Sequence, residues 1–298
     1  MEISKELKEA IVETMLKDRE RYGGSDTAYA KTLNIHGTVF NRLKKGEREH
    51  LLSPSQWLNI GRKLQVTLGK NTWKAVETDV YLELQDDFRF CQENAKSLIL
   101  VDDCGIGKTY CAKILISKMK NAFYVDASQY KSKRLFIKAL ARELGSGTTG
   151  TYSEILENLK YYINALGKVF ICIDEAGDLD YAAFLELKGL VNGTTGRCGW
   201  YMIGADGLRA KIKRGINNEK VGYREIFDRF SAEFRGITPD DKVQKMDFYD
   251  KLLRDVAVAN LQDKSNVNAI VKQCFTKKDD KVKSLRYLET LIRTKQVA

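Results

Sequence analysis

A buried strand that ends in a glycine-rich turn and restarts as a helix leaves a chain few folds to choose from. Residues 97–115, SLILVDDCGIGKTYCAKIL, read in that order. Gly105 and Gly107 let backbone N–H groups close around phosphate oxygens, and the positive end of the following helix adds to the attraction. The expected cradle is Asp103, Cys104, Gly105, Ile106, Gly107, Lys108, Thr109 and Tyr110. Within it Lys108 would bridge the β- and γ-phosphates, and the Thr109 hydroxyl would hold Mg2+. The pattern GxxxxGK[ST] departs at its first position, where this chain has Asp102 in place of glycine. That departure bears on the backbone at the start of the loop and puts a negative charge beside phosphate.

A second motif reinforces the first. KVFICIDE at 168–175 is an apolar run ending in two carboxylates. Asp174 is placed to coordinate Mg2+ directly or through water, and Glu175 to polarise an attacking water as general base. An acidic pair at a strand end is common by itself, and so is a glycine turn. In this order, with a strand and two helices between them, they point to an ATP-binding, ATP-hydrolysing protein that uses Mg2+.

The rest of the chain supplies the frame. Apolar strand candidates are Ser97–Val101, Ala122–Asp126, Val169–Ile173 and Trp200–Ile203, separated by helical patterns at 131–144, 151–166 and 180–191. Strands alternating with helices predict a parallel sheet with helices on both faces. After Pro239 the stretches 240–261, 265–275 and 283–295 read as helices with no strand between them, and KKDDK at 277–281 as a charged loop. The 298 residues suggest two domains, and two prolines in the whole chain fit a helix-rich protein. No apolar run reaches the roughly 20 residues of a membrane helix. The charged, periodic N-terminus, MEISKELKEAIVE, resembles no targeting peptide, so a cytoplasmic location without membrane association is expected. Cysteines 91, 104, 111, 172, 198 and 274 are scattered without a CxxC pair, which predicts reduced thiols.

The N-terminal residues are all helical in pattern. Ile3, Leu7, Ala10, Ile11 and Met15 fall at helical spacing over 3–20. Ser25 caps a short helix over 26–33, Asn34-Ile35 turns, and a second runs from about 37 to 45, followed by one around 53–64. Ala30, Leu33, Ile35, Val39 and Leu43 are expected to face inward. The order resembles a phage-repressor helix-turn-helix. In such a domain the second helix enters the major groove, which would bring His36, Thr38 and Asn41 to base edges and Arg42, Lys44 and Lys45 to phosphates. The expected division is a helix-turn-helix domain at 1–66, a linker at 67–76, an ATPase core at 77–238 and a helical lid at 239–298. A net charge of +10 favours a polyanionic partner.

The α/β P-loop core with a helical C-terminal lid, preceded by an all-α domain, resembles the additional-strand ATPases (AAA+). That resemblance implies further roles. Asp206, after the strand at 200–203, would stand at sensor 1, where Asn, Ser or Thr is commoner. Arg286 in KSLRYLE would be the sensor 2 arginine that reaches the γ-phosphate. YREIFDRF at 223–230 would carry the arginine finger for a neighbouring subunit, with Arg229 the first choice and Arg224 the second. A finger implies a homo-oligomer with head-to-tail contacts, either a ring or a helical filament. Lys131 and Lys133 would contact phosphates in the channel of such an assembly, and a second basic stretch contains Arg209, Lys211, Lys213 and Arg214. The domain order with GIGKT, ICIDEA and SLRYLE is similar to the transposition ATPases of the Mu phage transposition protein B type and the IstB-like and TnsC-like group. This implies ATP-dependent assembly on double-stranded DNA and recruitment of a transposase. A helicase loader, a helix-turn-helix transcription regulator with an ATPase switch, and a chaperone-like remodeller are the alternatives.

Overall fold

Alternation along each strand decides how the sheet is covered. A computed structural model describes residues 3–64, 66–68, 73–275 and 282–297. Five parallel strands, β1 (Ser97–Val101), β2 (Ala122–Asp126), β3 (Val169–Asp174), β4 (Cys198–Gly204) and β5 (Phe234–Arg235), are ordered β2-β3-β4-β1-β5. Ile99, Val101, Ile171, Ile173, Trp200 and Met202 point to one face, while Leu98, Leu100, Phe170, Cys172, Tyr201 and Ile203 point to the other. Both faces are buried, as a parallel sheet requires. The register sets Val101 against Gly204 and Asp126 against Asp174, so the loops that follow these strands share one carboxyl edge. Ligand sites of open α/β sheets lie at that edge.

Helices α5 (Asp79–Asn94) and α6 (Lys108–Lys118) cover one face. On the other lie α7 (Lys133–Leu144), α8 (Tyr152–Leu166), α9 (Tyr181–Gly193), α10 (Asp206–Asn217) and α11 (Tyr223–Arg229). The sequence pattern missed β5, because two residues carry no period. Its position is fixed instead by side chains: Arg235 pairs with Asp87 of α5 at 3.0 Å, and the buried Tyr201 hydroxyl donates to the same carboxylate at 2.7 Å. Beyond the sheet, α12 (Lys242–Asn260), α13 (Val267–Cys274) and α14 (Leu285–Val297) enclose an apolar cluster of their own around Leu253, Ile270, Leu288 and Ile292. The predicted charged loop at 277–281 lies outside the described residues.

The N-terminal elements are α1 (Lys5–Arg21), α2 (Asp26–Thr32), α3 (Gly37–Lys44) and α4 (Pro54–Lys63). Ser4, Ser25 and Ser53 cap α1, α2 and α4 through their hydroxyls. Asn34 makes the α2–α3 turn with φ +57°, a left-handed conformation that asparagine tolerates. Gly37 brings α3 close to α2, since a Cβ there would stand 3.1 Å from Thr27 Oγ1. Val39, expected to face inward, is half-buried and packs against this core, and Phe40, edge-on to Tyr29, is fully buried beside it.

These helices share a core with the five-stranded sheet. The apolar cluster that contains Ile11, Met15, Tyr29 and Trp57 runs without interruption into Phe123, Phe136 and Leu140. Polar contacts seal the join. The Tyr22 hydroxyl donates to the Leu144 carbonyl, Gly23 N–H donates to Asn121 Oδ1 at 2.7 Å, and Asn121 N–H donates to the Arg21 carbonyl at 3.1 Å. All six cysteines are free thiols, and Cys104 alone is exposed. Among the described residues no helix is long and apolar enough to cross a membrane.

Candidate nucleotide site

The glycine loop runs from the carboxyl end of β1 into α6, whose first residue is Lys108. Gly105 and Gly107 have φ of +81° and +100°, a region that penalises any Cβ. A Cβ at Gly105 would also meet Ser284 Cβ at 2.3 Å. The crowding arises because α14 starts directly on the loop, with Leu285 N–H donating to the Gly105 carbonyl at 3.0 Å.

Asp102 fits this loop without needing glycine's freedom. Its φ is not positive, and its carboxylate works as a local clamp. Oδ1 accepts from Asp103 N–H at 2.6 Å, while Oδ2 accepts from the backbone N–H groups of Ile237 and Thr238 at 2.5 and 2.9 Å. The charge expected beside phosphate is thus turned toward the segment after β5. Asp103 turns outward too, accepting from Tyr249 at 2.8 Å and pairing with Lys245 of α12 at 2.6 Å. Burial would raise its pKa, but Lys245 and Tyr249 outweigh burial and hold the carboxyl below its usual range. The loop's two aspartates therefore tie it to the segment after β5 and to α12.

Lys108 Nζ donates to the carbonyls of Asp102 and Asp103, both at 2.7 Å. Burial lowers its pKa, against the opposing pull of Asp102, Asp174 and Glu175. Thr109 Oγ1 donates to Asp174 Oδ2 at 2.7 Å, which joins the loop to the end of β3. Asp174 is 2% exposed. Glu175 follows it in a left-handed conformation, φ +50°, and donates its N–H to Asp174 Oδ1 at 2.9 Å. A non-glycine residue held there stores about 1 kcal/mol of strain, a cost that turns up preferentially at functional sites. Burial, then the nearby carboxylates of Asp174, Asp178 and Asp126, push its pKa upward.

These groups border one cleft of about 590 Å3, lined by Cys104, Gly105, Ile106, Gly107, Lys108, Thr109, Tyr110, Asp174, Glu175 and Arg286 among others. The residues present suit a nucleotide with Mg2+: an N–H-lined glycine turn, a lysine, and a hydroxyl and carboxylate that already meet. The cleft also holds residues that pattern reading had assigned to a linker. Trp73, Lys74 and Val76 line it, and Lys74 is pinned to α12 by paired backbone contacts with the Asn260 side chain at 2.7 and 3.1 Å. Trp73 and Val76 pack with the α12–α14 cluster. Only contacts far apart in sequence show this, so no local signal could have found it. Positions 69–72 of that expected linker lie outside the described residues.

Other expected residues stand elsewhere. The Asp206 side chain is 94% exposed, lies 3.9 Å from Arg209, and is not among those lining the cleft, because it starts α10 on the solvent side. Arg224 and Arg229 on α11 are exposed, make no side-chain hydrogen bond or ion pair with a described residue, and do not border the chain's own cleft. Lys131 pairs with Asp178 at 3.0 Å, and Lys133 with Glu186 at 3.8 Å. In the second basic stretch, Arg209 donates to the Val101 carbonyl at 3.2 Å and Lys211 to the carbonyls of Gly177 and Leu179. Those two are internal ties, which removes them from the set of free cations. Burial lowers the Lys211 pKa.

On α3 the side chains of Thr38, Asn41, Arg42, Lys44 and Lys45 are all exposed above the buried Phe40 and Leu43. His36 caps the helix, its Nδ1 accepting from Thr38 N–H at 3.3 Å. Lys44 pairs with Asp26 at 2.7 Å and Arg42 with Glu47 at 2.7 Å. Asn41 and Lys45 have no side-chain hydrogen bond or ion pair among the described residues.

Residues 91–212 match the family described as AAA domain. No curated protein matches the chain. Among solved structures, the fold is similar to that of the Aeropyrum pernix Orc1 protein in complex with DNA, with a TM-score of 0.52 and 14% identity. The likeness covers 78% of this chain and 63% of that one, so the chain spans less than two thirds of that protein's length. At that identity the likeness speaks for the fold alone. The family match spans the glycine loop and the paired carboxylates, and the fold likeness extends over most of the chain: this is an AAA+ P-loop fold with a helical region at its N-terminus.

Proposed function

We propose that the chain is an ATP-dependent, DNA-binding ATPase that assembles on duplex DNA, recruits and activates a transposase there, and leaves the DNA on hydrolysis. The observation that carries the ATPase part is the convergence of Lys108, Thr109, Asp174 and Glu175 on one cleft. Mg2+ held by Thr109 and Asp174 would neutralise phosphate charge. Lys108 exchanges its two carbonyl partners for phosphate oxygens, Glu175 orients and deprotonates water, and Arg286 at the head of α14 covers the far side.

The exposed arginines of α11 support assembly. A group that cannot serve its own cleft is suited to a neighbour's, and an arginine supplied in this way is worth about 10^3-fold or more in hydrolysis. Arg229→Ala is expected to keep nucleotide binding and lose hydrolysis on that scale in a steady-state ATPase assay with DNA. Full activity of this variant would move the role to Arg224.

DNA binding is supported by the exposed polar face of α3 and by the net charge of +10. The transposition role rests on the resemblance of domain order and motifs. The test is duplex binding by fluorescence anisotropy against length, sequence and nucleotide. Sequence-indifferent affinity that grows with duplex length and needs ATP is expected. Arg42→Ala/Lys45→Ala should weaken it evenly across sequences and flatten the log–log salt slope by about 1 for each phosphate that is no longer neutralised. Tight binding of one short site without ATP would favour the transcription regulator, and a preference for single strands the helicase loader.

A further inference from the structure

The second strand contributes a residue that the nucleotide motifs do not contain. Tyr124, near the end of β2, stands opposite Cys172 in the β2–β3 register, and its hydroxyl donates to Asp174 Oδ2 at 2.7 Å. Thr109 donates to that same oxygen, also at 2.7 Å, while Oδ1 takes the Glu175 N–H at 2.9 Å. Of the two side-chain donors on Oδ2, only Thr109 belongs to the phosphate loop and has a second use for its oxygen.

From this geometry we infer that Tyr124 is a positioning residue for the metal site, one that fixes the rotation of the Asp174 carboxylate through Oδ2. The inference rests on the reading of Asp174 as a magnesium-holding residue. If Thr109 turns its oxygen toward the ion, Tyr124 is left as the side-chain donor that keeps Asp174 from rotating. The tyrosine is suited to that task. A phenolic hydroxyl can keep donating its proton to Oδ2 whichever way Thr109 turns. Lys113 of α6 packs over the tyrosine ring, with Nζ 5.2 Å from the ring centroid.

Placement adds a second consequence. Tyr124 and Lys113 also line a cavity of about 350 Å3 between the N-terminal helices and the core, bordered by Lys17, Arg21 and Lys63. Lys113 borders this cavity and the nucleotide cleft alike. The positioning residue thus stands between the α1–α4 unit and the metal-holding carboxylate.

Hydrogen bonds to ligating carboxylates typically contribute about 10- to 100-fold to metal affinity or activity. Tyr124→Phe keeps the ring and deletes only the hydroxyl. The experiment follows binding of a fluorescent ATP analogue to the full chain over a MgCl2 titration and in EDTA, with ATPase rates over the same range. The expected result is an Mg2+ midpoint raised about 10-fold or more, an unchanged affinity in EDTA, and recovery of hydrolysis at saturating Mg2+. Superimposable Mg2+ curves for Tyr124→Phe and the parent would overturn the inference. So would an equal loss of affinity with and without Mg2+, since that marks a packing role. Asp174→Asn separates the two levels: if it leaves the Mg2+ dependence untouched, the assignment of Asp174 fails and the Tyr124 role falls with it. A shifted Asp174→Asn beside an unshifted Tyr124→Phe rejects the tyrosine alone.

Discussion

Glu175→Gln is expected to bind ATP with nearly parental affinity and to hydrolyse it about 10^2- to 10^4-fold more slowly, the range over which a positioned general base acts. The amide keeps the shape and the left-handed backbone of Glu175 but cannot take a proton. The environment magnifies the difference. Burial and the neighbouring Asp174, Asp178 and Asp126 make this carboxylate a stronger base than an ordinary surface glutamate. A single-turnover assay with and without duplex DNA measures the effect directly. DNA complexes formed with ATP should persist in the variant and decay in the parent, which a filter-retention time course resolves. Normal turnover would remove Glu175 from the role of base.

Lys108→Ala should lose nucleotide affinity by at least about 100-fold, because two charge-assisted hydrogen bonds worth about 1.5–3 kcal/mol each disappear. The lysine occupies the mouth of the loop, donating to the carbonyls of Asp102 and Asp103 at 2.7 Å. Its removal therefore deprives the loop of a cross-brace as well as of its phosphate partner. Equilibrium binding of a fluorescent ATP analogue measures the first effect, and light scattering in the presence of ATP the failure to assemble. Unchanged oligomers in ATP would show that the loop does not hold phosphate as described.

The sheet and its helices were legible because their signals are local. Apolar runs at 97–101, 122–126, 169–173 and 200–203 all became strands, and the Ser25 cap marked the start of α2. The GIGKT and IDE segments could be read for the same reason, since each motif is contiguous. What escaped depends on contacts between distant positions. Asp102 looked like a defect in the loop, yet its carboxylate binds backbone N–H groups at 237 and 238. Trp73 and Val76 had no period and read as a linker, but the cleft and the α12–α14 cluster claim them. Tyr124 looked like one more aromatic in a strand until β2 was set beside β3. Arg209 and Lys211 read as free positive charge, whereas carbonyl oxygens hold them.

The join between the N-terminal helices and the sheet constrains how copies of the chain can be arranged. A unit whose core is continuous with its neighbour's, and whose seam is stitched by Tyr22, Gly23 and Asn121, is braced against swinging. The outward face of α3 therefore keeps a fixed azimuth relative to the nucleotide cleft. In a stack of subunits related by one repeated rotation and rise, every such face would recur at the pitch of the stack, with no slack to absorb a mismatch. Any duplex running alongside would have to meet that pitch by its own twist and bending, at a cost in deformation energy that depends on its sequence.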